Sequence, residues 1–200
     1  MKLKMHDLRR AIQENGCISC RLGIPCDVCP NAHADEFAHA LASLRLAYIA
    51  HQQSHWESRG ASFYADHQMF QRMYETAQAD TDALAEKIVG LFDWKAISVS
   101  AQLRSFTSCV GCVTTIDSQD HMMRAVLAEE HALDAIDDLY DVLEQSGEST
   151  LGLEDLLPQL ASNRETNLYL LKQRLSEGKK PRKVKHAERK KSIDVQDDKR

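Results

Sequence analysis

The sequence predicts an all-α chain folded as a four-helix bundle, on three observations. Only 8 glycines and 4 prolines interrupt 200 residues, so few positions break a helix. Four long stretches carry apolar side chains at alternating steps of three and four, the spacing of one helical face. No segment alternates with the period of a strand, and no internal repeat is present.

Residues 1–14 (M-K-L-K-M-H-D-L-R-R-A-I-Q-E) form a short polar lead with some helical character. Residues 15–31 gather half the prolines and four cysteines and read as a compact loop. The first long helix is expected from about Ala34 to Ser58, with Phe37, Leu41, Leu44, Tyr48, His51 and His55 along one side. Ser58-Arg59-Gly60 stops it. Ser62 is placed to cap a second helix running to about Val89 or Gly90, lined by Phe63, His67, Phe70, Tyr74, Ala77, Leu84 and Ile88. Residues 91–116 are mixed, and Trp94, Ile97, Leu103 and Phe106 suggest a short helix within a long connection.

Thr114 to Asp117 supply turn and cap residues before a third helix over about Asp120 to Gln145, with Val126, Leu133, Ile136, Tyr140 and Leu143 in register. The turn S-G-E-S-T-L-G ends it. A fourth helix spans about Leu153 to Ser176 on a stripe of Leu156, Leu160, Leu168, Leu171 and Leu175. Pro158 is expected near its first turn, where proline is tolerated. Short turns join the first two and last two helices, and a long crossover joins the pairs. That is the ferritin-like arrangement. The domain plan is a Cys-rich extension over 1–33, the four-helix domain over 34–177 and a basic tail over 178–200.

Charge is uneven. The tail from Gly178 holds ten Lys and Arg against four Asp and Glu, a net of +6; the remaining 15 basic and 26 acidic residues give the body −11, for a total of −5. An acidic body suits cations and a basic tail suits a polyanion. Lys179, Lys180, Arg182, Lys183, Lys185, Arg189, Lys190 and Lys191 could neutralise DNA phosphates without reading sequence; the other reading is a disordered, solubilising tail. No apolar run reaches the length of a membrane span, and the N-terminus lacks a signal-peptide core. The expectation is a cytoplasmic protein without a membrane partner, with nucleoid association open.

All six cysteines fall in C-x-x-C pairs. In a reducing compartment such pairs serve metal or redox chemistry more often than structural disulfides. Cys17, Cys20, Cys26 and Cys29, spaced C-x2-C-x5-C-x2-C, suit tetrahedral zinc, with an iron–sulfur cluster or free or redox-active thiols as alternatives. Cys109 and Cys112 lie in the crossover as a ligand pair, a redox pair or free thiols.

His55, His67, Asp82 and Glu86 sit within otherwise apolar-periodic helices. Histidine and carboxylate share metal ions as a partner. His67 and Asp82 are fifteen residues apart, roughly 22 Å along one helix, and cannot share an ion within a chain. Gly60 lets His55 approach His67, while Asp82 and Glu86 are neighbours one turn apart. A two-fold axis between antiparallel copies would bring the histidines of one chain to the carboxylates of another, twice per dimer.

His55-Trp56, Gly60, Phe63, His67, Phe70, Tyr74, Asp82, Ala85 and Glu86 stand at the spacings of the Dps family. The chain resembles these ferritin-like miniferritins over roughly residues 35–175. The match takes in the mid-connection helix and a final D-L-L-x-x-L helix opening at Asp155. The resemblance implies a hollow homo-oligomer, a dodecamer built from two-fold dimers. It implies an intersubunit ferroxidase site at His55, His67, Asp82 and Glu86, with Trp56 beside it. Iron(II) would be oxidised there, preferably by hydrogen peroxide, and stored as ferric mineral. Basic tails that bind DNA also occur in the family.

One position departs. The family usually has an aspartate four residues after the second histidine, where this chain has Gln71. An amide is a poorer ligand for a hard cation, which weakens the His67 half of the site; His51, one turn before His55, is a possible substitute donor. The alternative function is therefore a shell with weakened or lost ferroxidase activity that acts in DNA binding or assembly. The acidic face of the third helix (Glu130, Asp134, Asp137, Asp138, Asp141) either lines iron entry routes or the shell interior, or is an ordinary solvated face.

Overall fold

A computed structural model describes residues 33–92, 97–112 and 120–176. Five helices make up these residues, with no strand among them: α1 (Ala34–Glu57), α2 (Phe63–Leu91), α3 (Val99–Cys112), α4 (His121–Ser146) and α5 (Leu151–Ser176). The four long helices fall within a few residues of their expected bounds.

The turns explain the boundaries. Between α1 and α2 the chain reverses over five residues, and Gly60 takes φ 78°, a conformation that favours glycine. Ser62 precedes α2 as expected, but its hydroxyl makes no cap bond; its carbonyl instead accepts from the Asp66 N–H at 2.9 Å. Asp120 caps α4, its side chain accepting from the N–H groups of Met122 and Met123. Gly147, at φ 71°, closes α4. There Gly147 N–H donates to Glu144 O and Glu148 N–H to Leu143 O, so the last carbonyls are satisfied. Thr150 opens α5, accepting from Leu153 N–H through both its carbonyl and its hydroxyl. Pro158, the eighth residue of α5 from Leu151, lies inside the helix and not near its first turn as expected. It is exposed there, so the carbonyl it leaves without an N–H partner can turn to water.

Cross-helix partners give the topology. His51 meets Glu129 and Ser54 meets the His121 carbonyl, so α1 and α4 run antiparallel. Asp66 meets Arg174 and Asp80 meets Arg164, so α2 and α5 run antiparallel too. Each short turn also reverses direction. α2 and α4 are therefore parallel, and the connection between them must travel the length of the bundle. It carries α3, which packs along α1. This is the ferritin-like fold, with one long crossover.

The core has two apolar parts. The larger is built from Phe37, Leu41, Leu44, Leu84, Ile88, Ile136, Leu139, Leu143, Leu153, Leu157 and Leu160 with several alanines of α1. The smaller holds Phe70, Met73, Met122, Val126, Leu168 and Leu171. Most expected stripe residues are inside, but Phe63 is 46% exposed.

Between the two parts runs a polar layer to which all four long helices contribute. Glu129 is fully buried, and one of its oxygens, Oε1, accepts from His51 Nε2 at 2.5 Å, Asn167 Nδ2 at 2.8 Å and Arg164 Nη1 at 3.2 Å. Arg164 Nη2 donates to Asp80 at 2.7 Å, and Asn163 donates to both Asp80 oxygens. Burial pushes the Asp80 carboxyl above the usual aspartate range, against the opposing pull of Arg164 and Asn163.

Candidate functional site

His55 closes the last turn of α1, and His67 lies in the second turn of α2. Their positions depend on how the α1 end is held. Ser54 donates to the Ala50 and His121 carbonyls at 2.8 and 3.1 Å, and Arg124 of α4 bonds both Ser54 and Glu57. Burial would raise Glu57, but its bonds from Arg124 and Gln53, with the charges of Arg124 and His121, bring its carboxyl below the usual range. The end of α1 is thereby tied to the start of α4.

Across the Gly60 turn the two imidazoles stack, with centroids 3.6 Å apart and planes 23° apart. Each binds the other's backbone: His55 Nδ1 donates to the His67 carbonyl at 2.8 Å, and His67 Nδ1 to the His55 carbonyl at 3.1 Å. A carbonyl only accepts, so both Nδ1 atoms carry the proton. In the neutral rings both Nε2 atoms then hold a lone pair, which is the form that binds a metal. Tyr74 packs edge-on against His55, and Phe63 lies against His67. Around the pair, Trp56 is 69% and Tyr64 74% exposed.

Asp82 and Glu86 are exposed one turn apart on α2. Helix α2 is unbroken from Phe63 to Leu91. The fifteen residues from His67 to Asp82 therefore keep them roughly 22 Å apart in one chain. The chain brings the two histidines together and keeps the two carboxylates together, but it does not join the pairs. Asp82 lines an open cleft with Arg45, Tyr48, Glu75 and Gln78. An apolar groove formed by Ile49, Val99, Leu103 and Phe106 continues from Arg45 and Tyr48.

Gln71 donates to Glu75 on its own helix at 2.9 Å. His51 is not a substitute ligand beside it. It is fully buried and committed to Glu129 in the polar layer. Cys17, Cys20, Cys26 and Cys29 lie outside the described residues, as do Lys179, Lys180, Arg182, Lys183, Lys185, Arg189, Lys190, Lys191 and the Thr114–Asp117 turn. On the acidic face of α4, Asp137 is raised by partial burial and then by Asp134, Asp141, Glu165 and Asp138. Nearer the start of α4, burial and the neighbouring His39 hold His131 below the usual imidazole range, with Asp134 opposing.

Sequence reading missed the polar layer, although a signal was present. Arg164 falls in the α5 stripe between Leu160 and Leu168, Glu129 in the α4 stripe between Val126 and Leu133, and Asp80 between Ala77 and Leu84. A charge on the apolar face of three helices that pack together is a request for partners.

This arrangement defines a ferritin-like bundle with an incomplete His and carboxylate set at its surface. Among solved structures the chain is similar to Dps from Microbacterium arborescens in its high iron form. The TM-score is 0.56 at 20% identity, over 76% of this chain and 99% of that one. The chain has the Dps-like ferritin fold. No family model matches the sequence, and no curated protein matches it. Among the described residues no helix is long and apolar enough to cross a membrane.

Proposed function

We propose that the chain is an iron(II)-oxidising, ferric-iron-storing shell protein of the Dps type, acting in the cytoplasm. In this reading His55 and His67 of one subunit face Asp82 and Glu86 of another across a two-fold axis. The observation that carries it is the reciprocal Nδ1 bonding of the two histidines, which fixes both rings as Nε2 donors in the absence of a complete ligand set. Support for a second copy comes from the exposed apolar side chains nearby: Trp56, Phe63 and Tyr64 at the histidines, and Ile49, Val99 and Leu103 beside the acidic cleft. A monomer gains nothing by exposing these; a two-fold neighbour would cover them. The iron-rich state of the structural neighbour supports iron as the cargo.

Iron(II) is the substrate. Two ions each give one electron to one hydrogen peroxide, which is reduced to two hydroxides or, with protons, to two waters. The carboxylates favour the more highly charged product, and the acidic face of α4 would supply cation-attracting potential. The N-terminal four-cysteine loop binds zinc in this reading, and the tail from Lys179 to Lys191 holds DNA phosphates. Anaerobic iron(II) mixed with peroxide should give ferric absorbance and mineral in a particle of about twelve chains. His55→Ala/Asp82→Ala should abolish the fast phase. A monomeric native mass, or an unchanged rate in that variant, would reject the proposal.

A second reading rests on Gln71, whose amide is tied to Glu75 where the family usually has a carboxylate. In it the shell assembles and binds DNA but oxidises iron slowly. Removal of residues 178–200 should then abolish DNA retardation at low salt while leaving the particle intact; unchanged retardation would remove the tail's role.

A further inference from the structure

Away from the iron site, three helices bring one metal-ligating side chain each to a single point. His39 of α1, Cys109 of α3 and His131 of α4 offer donor atoms that all lie within 4.8 Å of one another. Cys109 Sγ is 3.5 Å from His39 Nδ1, and the thiol is fully buried. The two imidazoles meet edge to face with centroids 5.3 Å apart. His131 Nε2 is buried and has no hydrogen-bond partner among the described residues. A buried ring nitrogen left so is costly, and a bound ion would remove the cost.

The geometry points to a second metal site: we propose that His39, Cys109 and His131 bind a borderline-soft divalent ion of the zinc class. Two nitrogens and one thiolate are the donors that such ions favour. With metal–sulfur and metal–nitrogen bonds of about 2.3 and 2.05 Å at tetrahedral angles, a sulfur and a nitrogen ligand stand about 3.5 Å apart and two nitrogens about 3.4 Å. The sulfur–nitrogen pair already meets this. His131 has to close by at most roughly 1.5 Å, within reach of a small side-chain rotation. Three ligands leave a fourth position for water or a further donor.

The site would act on the crossover. The backbone of α3 lies along α1, and an ion held also by His131 would fasten it to α4. It would also separate two ions in one chain. Thiolate with imidazole selects zinc-class ions, whereas the His55, His67, Asp82 and Glu86 set has no sulfur and suits iron. The proposal does not depend on the iron reading, and either can fail alone.

Cobalt(II) is the probe, because a thiolate ligand gives a sulfur-to-metal charge-transfer band that the iron-site residues cannot produce. The full chain is used, reduced and assembled, with Cys17, Cys20, Cys26 and Cys29 changed to serine. Titration should raise that band to one ion per chain, with ligand-field bands of tetrahedral strength, and zinc should displace it. Cys109→Ala should abolish the band, and His39→Gln or His131→Gln should each weaken cobalt binding by about tenfold or more. Should the serine variant not assemble, the spectrum of the wild-type chain minus that of Cys109→Ala gives the same answer. Absence of the thiolate band, or a band indifferent to both histidine substitutions, would overturn the site.

Discussion

Arg164→Leu tests the energetics of the bundle most sharply. Arg164 is fully buried and is the cation of the layer, bonded to Glu129 at 3.2 Å and Asp80 at 2.7 Å. Removing it leaves two carboxylates in a protein interior without that cation. Breaking a buried ion pair by deleting one partner typically costs about 3–5 kcal/mol. For a chain of this size that lowers the melting temperature by about 6–20 °C. The cost should depend on pH. Asp80 is already raised by burial, and Arg164 is the first of the groups opposing that rise. Without Arg164 its folded-state pKa moves further above the unfolded value. The folded state then holds the extra proton, so the variant loses stability as pH rises through that window. The assay is thermal unfolding of the assembled protein at fixed concentration, from pH 5 to pH 8, beside wild type. The deficit should grow with pH, and adding Asp80→Asn should recover part of it. A loss under about 1 kcal/mol at pH 7, or one independent of pH, would refute the view that Arg164 holds the layer together.

Substitutions at three further positions probe the turn, the α1 end and the proposed iron site. Gly147→Ala keeps open space around the new Cβ but forces alanine to φ 71°, so it should lower stability by about 1 kcal/mol, with Gly147→Asn costing less. Glu57 is held below its ordinary value by Arg124 and Gln53. Its contribution is present above the unfolded carboxyl value and lost as pH falls through the folded one, so Glu57→Gln should flatten the acid limb of a stability–pH curve below about pH 5. Gln71→Asp supplies the absent carboxylate and should speed peroxide-driven iron(II) oxidation in a stopped-flow trace; no gain would mean that Gln71 does not limit the site.

The four long helices were legible because apolar periodicity and turn glycines agreed. Gly60 and Gly147 mark reversals that their sequences announce, whereas the side-chain cap falls at Asp120 and not at Ser62, where it was expected. Pro158 was placed near the first turn of α5, yet even counted from Leu153 it is the sixth residue, past the N–H groups that a helix start leaves free. His55 and His67 were legible as a pair through the tight turn between them. Their tautomer was not, since it depends on two carbonyls that only the folded turn brings within 3.1 Å. His51 shared the helical face with His55 in the sequence, yet one turn of helix carries it from the surface to the core. The His39, Cys109 and His131 group was invisible for a simpler reason: three ligands from three separate helices leave no spacing to read.

That His55 and His67 of one subunit and Asp82 and Glu86 of another make up the proposed iron site is the central claim, and mixed assembly tests it directly. One variant carries His55→Ala/His67→Ala and the other Asp82→Ala/Glu86→Ala. Each alone should be inactive with iron(II) and peroxide. Dissociated, mixed in equal amounts and reassembled, half of the dimers are hybrids, and each hybrid has one of its two sites intact, so about a quarter of the native rate should return. A mixture as inactive as its components, with hybrid shells shown by mass, would contradict a site shared between subunits.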